Sequence, residues 1–220
     1  MKLNWTREIL PVALLIAMIV TTLHYYPLLP NLVPSHFNIE GKANGWMPKD
    51  EFFLIMGSIF VLMYLLLTFL PFIDPFKKKV ESRFGVILLL RDVMLVFDAA
   101  VFGLVLQAAS SGVFHANFVG IAVGLLFIIF GNYMPKMPQN WFMGIRSPWT
   151  ISSEVVWKKT HILGGWLFTL AGIAWILCVF LKMNNLVPAL LIIIVALTTY
   201  VYSFVIYKKL QQAGFRDAAK

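Results

Sequence analysis

Three ionisable residues, Arg91, Asp92 and Asp98, sit inside an otherwise apolar run at 84–107. On a helix Arg91 and Asp98 are seven apart and share one face, about 20° from eclipsed. An unpaired carboxylate at the centre of a bilayer costs on the order of 3 kcal/mol or more, so Asp98 is expected to face other helices and find a partner there. Arg91 lies nearer one end of the run, and its stem is long enough to snorkel. Two turns separate the pair by roughly 10 Å, so direct contact needs both side chains to reach. Such a pair would suit a proton or ion relay; the structural alternative is a polar cluster that fixes helix packing.

A second concentration of chemistry spans 131–161, GNYMPKMPQNWFMGIRSPWTISSEVVWKKTH. It holds three of the seven tryptophans and three of the eleven prolines between two strongly apolar stretches. Prolines 135, 138 and 148 with Gly144 exclude a regular helix before Thr150. Trp141, Phe142, Met143, Ile145 and Trp149 are too apolar for a solvated linker, and Arg146 is free to bind an acidic group or phosphate. From Ser152 the pattern becomes helical. Thr150 or Ser152 is expected to cap, Glu154 suits the positive end, and Glu154 with Lys158 makes an i,i+4 pair. This helix is expected to lie in the interface and turn into the next span through Gly164-Gly165. Asn140, Arg146, Glu154 and His161 would supply an enzyme working near the headgroups; a brace between helix ends would use the same residues.

The third concentration is VPSHFNIEGKANGWMPKDE at 33–51. Residues 35–40 read as extended, Asn44-Gly45 as a turn, and Trp46 as an interfacial anchor. His36, Glu40 and Trp46 would form a ligand surface on a hairpin that otherwise only caps helix ends. No metal site is expected from His24, His36 and His115, which lack a ligand spacing, and no cofactor or nucleophile motif is present.

The elements that must position these groups are membrane helices. The chain is 60% hydrophobic, only 13% charged, and has a mean hydropathy of +0.82 over 220 residues. A soluble domain carries about a quarter charged residues. Six apolar runs, 9–26, 52–72, 84–107, 114–134, 162–181 and 186–207, each approach the roughly 20 residues that cross a bilayer as helix. The sequence therefore predicts an all-α, polytopic helical membrane protein. Pro11 and Pro188 are placed in the first turns of their helices, and Asp74-Pro75 closes the second. The first run has no convincing cleavage site after it and reads as a retained anchor. The single Cys178 allows no intramolecular disulfide. Fourteen of the eighteen Lys and Arg residues fall on one side of this topology, which puts both termini and the 131–161 loop in the cytoplasm and 27–51 outside. The net charge of +8 is then a membrane-protein asymmetry, with no direct nucleic-acid partner implied.

Two of these loops carry a family resemblance. VPSHFNIEGKANGWMPK is similar to the P-x-H-F-N-x-x-G-x-x-x-G-W signature of a small N-terminal membrane domain. GNYMPKMPQNWFMGIRSPWTISSEVVWKKTHILGG resembles the hallmark of the SdpI family of bacterial membrane proteins. Together with their spans the motifs cover most of 10–195. The resemblance implies a non-enzymatic, multi-pass protein of the bacterial cell membrane. It divides the chain into an N-terminal two-span unit at 1–75, a four-span unit at 76–210 and a short tail at 211–220. The implied function is immunity against a secreted, bacteriocin-like toxic peptide that attacks the membrane, together with signalling by holding a small winged-helix autorepressor at the bilayer. Combined with the topology, it assigns Pro34, His36, Phe37, Asn38, Gly41, Gly45 and Trp46 to an external toxin surface. It assigns Asn132, Pro135, Asn140, Trp141, Gly144, Arg146, Pro148, Trp149, Glu154 and His161 to a cytoplasmic partner surface. The residue-level alternatives are a small transporter or channel using Asp98 and Arg91, and a membrane enzyme.

Overall fold

The computed structural model describes residues 1–38, 42–184 and 186–214. Eight α-helices and one β-hairpin follow in the order α1 (Trp5–Tyr25), β1 (Leu32–Phe37), β2 (Ala43–Pro48), α2 (Lys49–Phe69), α3 (Lys77–Ser82), α4 (Phe84–Ser111), α5 (Ala116–Tyr133), α6 (Pro148–Ser152), α7 (Glu154–Phe180) and α8 (Leu186–Gln212). Short 3-10 turns, Leu70–Ile73 and Met134–Lys136, extend α2 and α5. Among the described residues, five helical stretches are long and apolar enough to cross a membrane: Trp5–Tyr25, Lys49–Ile73, Ala116–Lys136, Glu154–Phe180 and Leu186–Gln212. The charged α4 is a further long helix of 28 residues. The polytopic helical class read from the sequence stands, with a two-stranded hairpin added to it.

The chain divides into two compact units, one comprising Met1, Phe69–Ile87 and Val123–Lys220, the other Lys2–Thr68 and Leu88–Ala122. In the second of these, Asn4 caps α1 through its side chain, so the helix starts at Trp5 and Pro11 falls inside it, not in the first turn. A proline there leaves the carbonyl of Arg7 without its helical donor. Phe52, Phe60, Leu95, Phe102 and Leu106 from α2 and α4 close a core around Met18, Leu29 and Val33. The hairpin is antiparallel with Leu32 opposite Pro48, Val33 opposite Met47 and Pro34 opposite Trp46. Beyond Pro34 the register shifts, and His36 faces Gly45. Asn44-Gly45 therefore lies within β2 and is not the turn the sequence suggests. The connection falls between Asn38 and Lys42, where Asn38 N–H donates to the Lys42 carbonyl at 2.8 Å and Lys42 N–H to Asn38 Oδ1 at 2.9 Å. At the hairpin's base, Lys49 Nζ donates to the Tyr26 carbonyl at 3.0 Å, and the Tyr26 hydroxyl to Asp50 at 2.5 Å. That bond holds the phenol above its ordinary range.

In the other unit the governing feature is close approach of α5 and α7. A Cβ on Gly124 would stand 2.9 Å from the Gly172 carbonyl, and one on Gly172 would stand 2.5 Å from the Gly124 carbonyl. One turn pair further along, Gly131 and Gly165 oppose each other in the same way, at 2.7 and 2.8 Å. Glycines seven apart on each helix thus meet in antiparallel register. Without a hydrophobic drive between helices in lipid, such backbone proximity is what dispersion packing needs. Gly164 and Gly165 are buried inside a continuous α7 of 27 residues. The expected break there, between an interfacial helix and a span, does not occur, because the pair is used for contact and the helix bonds run through it.

Gly131→Ala would put a methyl 2.3 Å from Thr169 Oγ1 and 2.6 Å from the Thr169 amide nitrogen. It is expected to lower stability by about 1–3 kcal/mol. Gly103→Ala, where nothing lies within 4 Å, is expected to be neutral or stabilising by up to about 1 kcal/mol. Thermal melts of the two variants in detergent check this, and equal melting temperatures would contradict the α5–α7 contact.

Candidate functional site

The ionisable group of α4 is held by α1 and α2. Arg91 is 0% exposed. Its Nη1 donates to both Glu8 carboxylate oxygens at 3.0 Å and to Thr68 Oγ1 at 3.1 Å, and its Nε to Asp92 at 2.9 Å. Nη2 donates at 3.0 Å to the carbonyl of Arg7, the one that Pro11 leaves without a helical donor. The Tyr64 hydroxyl completes the Glu8 carboxylate at 2.8 Å, with its ring 5.4 Å from the guanidinium. Arg91 does not snorkel and does not pair with Asp98; its partners other than the adjacent Asp92 lie at the first turn of α1 and the last turn of α2. Asp98 is also buried, and among the described residues its Oδ2 has no hydrogen-bond partner. The relay reading loses its pair. The packing reading gains Glu8, Tyr64 and Thr68, which sequence reasoning missed although an acidic residue on the edge of an apolar run was a signal.

The 131–161 stretch folds as a plate built on side-chain-to-backbone bonds. Asn140 is buried and closes its own turn: Oδ1 accepts from Phe142 and Met143 N–H at 2.9 and 2.6 Å, and Nδ2 donates to the Pro138 and Met143 carbonyls. Gly144 follows with φ +100°, a conformation that side chains resist. A Cβ there would also meet His161 Nε2 at 2.5 Å. That nitrogen accepts the Ile145 N–H at 3.1 Å, while Nδ1 lies 2.8 Å from the Trp157 carbonyl. A carbonyl only accepts and an amide N–H only donates, so the ring carries its proton on Nδ1. His161 and Asn140 are therefore internal braces, not groups offered to a partner.

The plate is fastened to its neighbours in the same manner. Buried Asp74 accepts from the Phe76 and Trp141 N–H groups at 2.7 and 2.8 Å. Gln139 donates to the Thr150 and Ile151 carbonyls and accepts from Lys79, which also pairs with Glu154. Glu154 thus binds Lys79 across the fold instead of Lys158 along the helix. Ser147 caps α6 in a reciprocal bond with Thr150 and meets Ser203 of α8 at 2.8 Å. Ser153 caps α7. The expected caps, Thr150 and Ser152, are displaced because Pro148 starts a separate short helix. Half-buried Trp149 packs on Tyr200 and Phe204 at 5.2 and 5.0 Å. Asn132, Pro135, Trp141, Gly144, Arg146, Pro148 and Glu154 remain exposed. Arg146 Nη1 donates to the Trp141 carbonyl at 2.7 Å, and Asn132 turns back onto Ile128.

On the hairpin, Val33 is 0% exposed and packs with Met47 into the core, which turns Leu32, Pro34, Trp46 and Pro48 to the opposite face. Leu32 and Trp46 are 57% and 58% exposed. His36 Nδ1 lies 2.6 Å from Asn44 Oδ1, and Phe37 stacks on Phe114 at 3.7 Å. Gly45 lets the strands close at His36, whose Cβ would be 3.0 Å from an added methyl. Asn38 belongs to the connection. Gly41 and Glu40 lie outside the described residues. Among the described residues no three His, Cys, Asp or Glu side chains converge on a metal position.

Residues 136–207, which take in most of the plate with α6 and α7 and much of α8, match the SdpI/YfhL protein family. Residues 13–61, which take in the hairpin, match a domain of unknown function, DUF1648. The chain is 24% identical to Immunity protein SdpI of Bacillus subtilis (strain 168) over 206 residues, 93% of this chain and 97% of that protein. No solved structure matches. The SdpI-family resemblance carried by the 131–165 stretch is borne out, and with the apolar helices it makes this a multi-pass membrane protein.

Glu8→Ala leaves the buried Arg91 charge with one carboxylate fewer and is expected to destabilise the protein by about 3–5 kcal/mol. Glu8→Met combined with Arg91→Met removes both charges and is expected to recover most of that loss. Melts of the single and double variants decide it: a double variant no more stable than Glu8→Ala would mean the pair is not coupled.

Proposed function

We propose that this chain is an immunity protein that protects its own cell from a secreted, membrane-active toxic peptide by capturing the peptide on the outward face of the hairpin. The observation that carries the reading is the hairpin's two-sidedness. One face, Val33 and Met47, is fixed in the core, while Leu32, Pro34, Trp46 and Pro48 form an apolar face on which, among the described residues, Leu32 and Trp46 are more than half exposed. A peptide that attacks membranes is amphipathic, and an apolar patch with a large aromatic anchor is the complementary surface. Pro34 and Pro48 supply no N–H, so recognition runs through side chains and not through an added strand. The positive-inside asymmetry of the sequence supports an external position for this face, where the peptide arrives. Similarity to an immunity protein supports the same role. His36, Asn38 and Gly45 shape the strand ends and the connection beside that face, and Phe37 fastens it to Phe114.

The reading extends to the cytoplasmic side. The exposed rim of the plate, Asn132, Pro135, Pro148 and Glu154 with Lys158 and Lys159 beside it, is the surface for a small winged-helix repressor. The braces Asn140, Gly144, Trp149 and His161 hold that rim in shape.

Cells expressing the wild-type chain are expected to survive a membrane-active peptide that kills cells lacking it. Trp46→Ser, at unchanged membrane levels, is expected to remove most of the protection, because anchor residues of this kind contribute about 2 kcal/mol or more. Equal killing with and without the protein would reject immunity, and full protection by Trp46→Ser would reject capture at this face. For the inner surface, exposure to the peptide is expected to move the repressor into the membrane fraction. Lys158→Glu with Lys159→Glu is expected to leave it soluble while protection persists.

A further inference from the structure

The plate carries a recess of about 470 Å³ lined by Trp141, Arg146, Ser147, Pro148, Ile151 and Ser152. We infer that this recess binds the phosphate of an anionic lipid headgroup. Its donors come first. The Arg146 guanidinium has five N–H groups, and one of its nitrogens is oriented by the Trp141 carbonyl at 2.7 Å. Among the described residues the rest of the fork and the Trp141 indole N–H have no protein partner. No carboxylate lines the recess: the nearest acidic group in sequence, Glu154, is engaged by Lys79. A cationic fork in a recess that Trp141 lines and no carboxylate lines suits a phosphate oxygen pair.

The floor and walls choose the source of that phosphate. Ser147 is occupied by Thr150 and Ser203, and Ser152 donates to the Trp149 carbonyl, so neither hydroxyl supplies a further donor to enclose a free anion. Pro148, Ile151 and the 48%-exposed face of Trp141 are apolar, which suits the glycerol and upper acyl region next to a headgroup. The depth agrees. The 27 residues of α7 measure about 40 Å against a hydrocarbon thickness of about 30 Å, which leaves helix to extend into the headgroup layer where the basic Lys158 and Lys159 of its first turns belong. The side chains that would meet the lipid are also pre-set, because Trp141 is held by Asp74 through its backbone and the turn carrying Arg146 is fixed by Asn140 and His161.

The test uses the full chain in nanodiscs of phosphatidylcholine with and without a minor fraction of phosphatidate, followed by native mass spectrometry of the extracted protein. Wild type is expected to retain one phosphatidate above the phosphatidylcholine background. Arg146→Gln is expected to reduce that retention about tenfold, the scale of a charge-assisted fork. Ser152→Trp fills the recess from its exposed rim while leaving Arg146 in place, and is expected to displace the lipid as well. Lys158→Gln, which removes a charge outside the recess, is expected to retain it. Retention unchanged in both Arg146→Gln and Ser152→Trp would overturn the site. Loss of equal size in Lys158→Gln would also overturn it, showing only a diffuse basic surface. Release of the lipid by millimolar inorganic phosphate would assign the recess to the free anion and overturn the headgroup reading.

Discussion

A polar atom withdrawn from water must be matched inside the protein, and this chain is organised around groups that meet that demand. Arg91 is the extreme case. Its guanidinium is fully buried, and its contacts come from Glu8, Thr68, Asp92 and the carbonyl of Arg7. The last contact exists because Pro11 cannot donate to that carbonyl, so a local defect in α1 becomes an acceptor for α4. Burial of such a cluster does little for net stability against an apolar alternative, but it is unforgiving of wrong neighbours. It fixes which turns of α1, α2 and α4 stand together.

The same demand, met with different chemistry, shapes the plate. A segment with three prolines and a left-handed glycine cannot satisfy its backbone by helix formation, so side chains of Asp74, Gln139, Asn140, Ser147, Thr150, Trp157 and His161 do it instead. The density of polar and aromatic residues in this stretch is therefore mainly structural. What remains for partners is the smaller exposed set, with Arg146 and Trp141 at its centre. Close glycine contacts between α5 and α7 provide the base on which the plate rests, since Gly164 and Gly165 meet Met134, Pro135 and Ile145 as well as Gly131.

The function proposed for the hairpin rests on rigidity of a similar kind. Two prolines, a register shift and a buried Val33 give a small sheet one face committed to the core and one face open. A surface held this way loses little conformational freedom on binding, which is what the proposed capture by an aromatic anchor calls for.

The sequence by itself determined the class, the helical runs to within a few residues except at α7, the two loops in which the chemistry is concentrated, and the family they resemble. Those features are local: hydropathy over twenty residues, proline and glycine punctuation, and motif spacing are legible without neighbours. It did not determine who partners whom. Arg91 and Asp98 share a face of α4, yet Arg91 pairs with Glu8, 83 residues away, and with the adjacent Asp92, because α1 brings a carboxylate against the guanidinium while Asp98 lies two turns along the helix. Glu154 and Lys158 have ideal helical spacing, yet Lys79 takes Glu154. Asn44-Gly45 carries a turn signal, yet cross-strand pairing with His36 draws it into β2. Gly164-Gly165 reads as a hinge until α5 lies against it. Only the tertiary structure could decide these, since each sets a local preference worth a few tenths of a kcal/mol to about 1 kcal/mol against contacts made across the fold, which at the buried Arg91 are worth several.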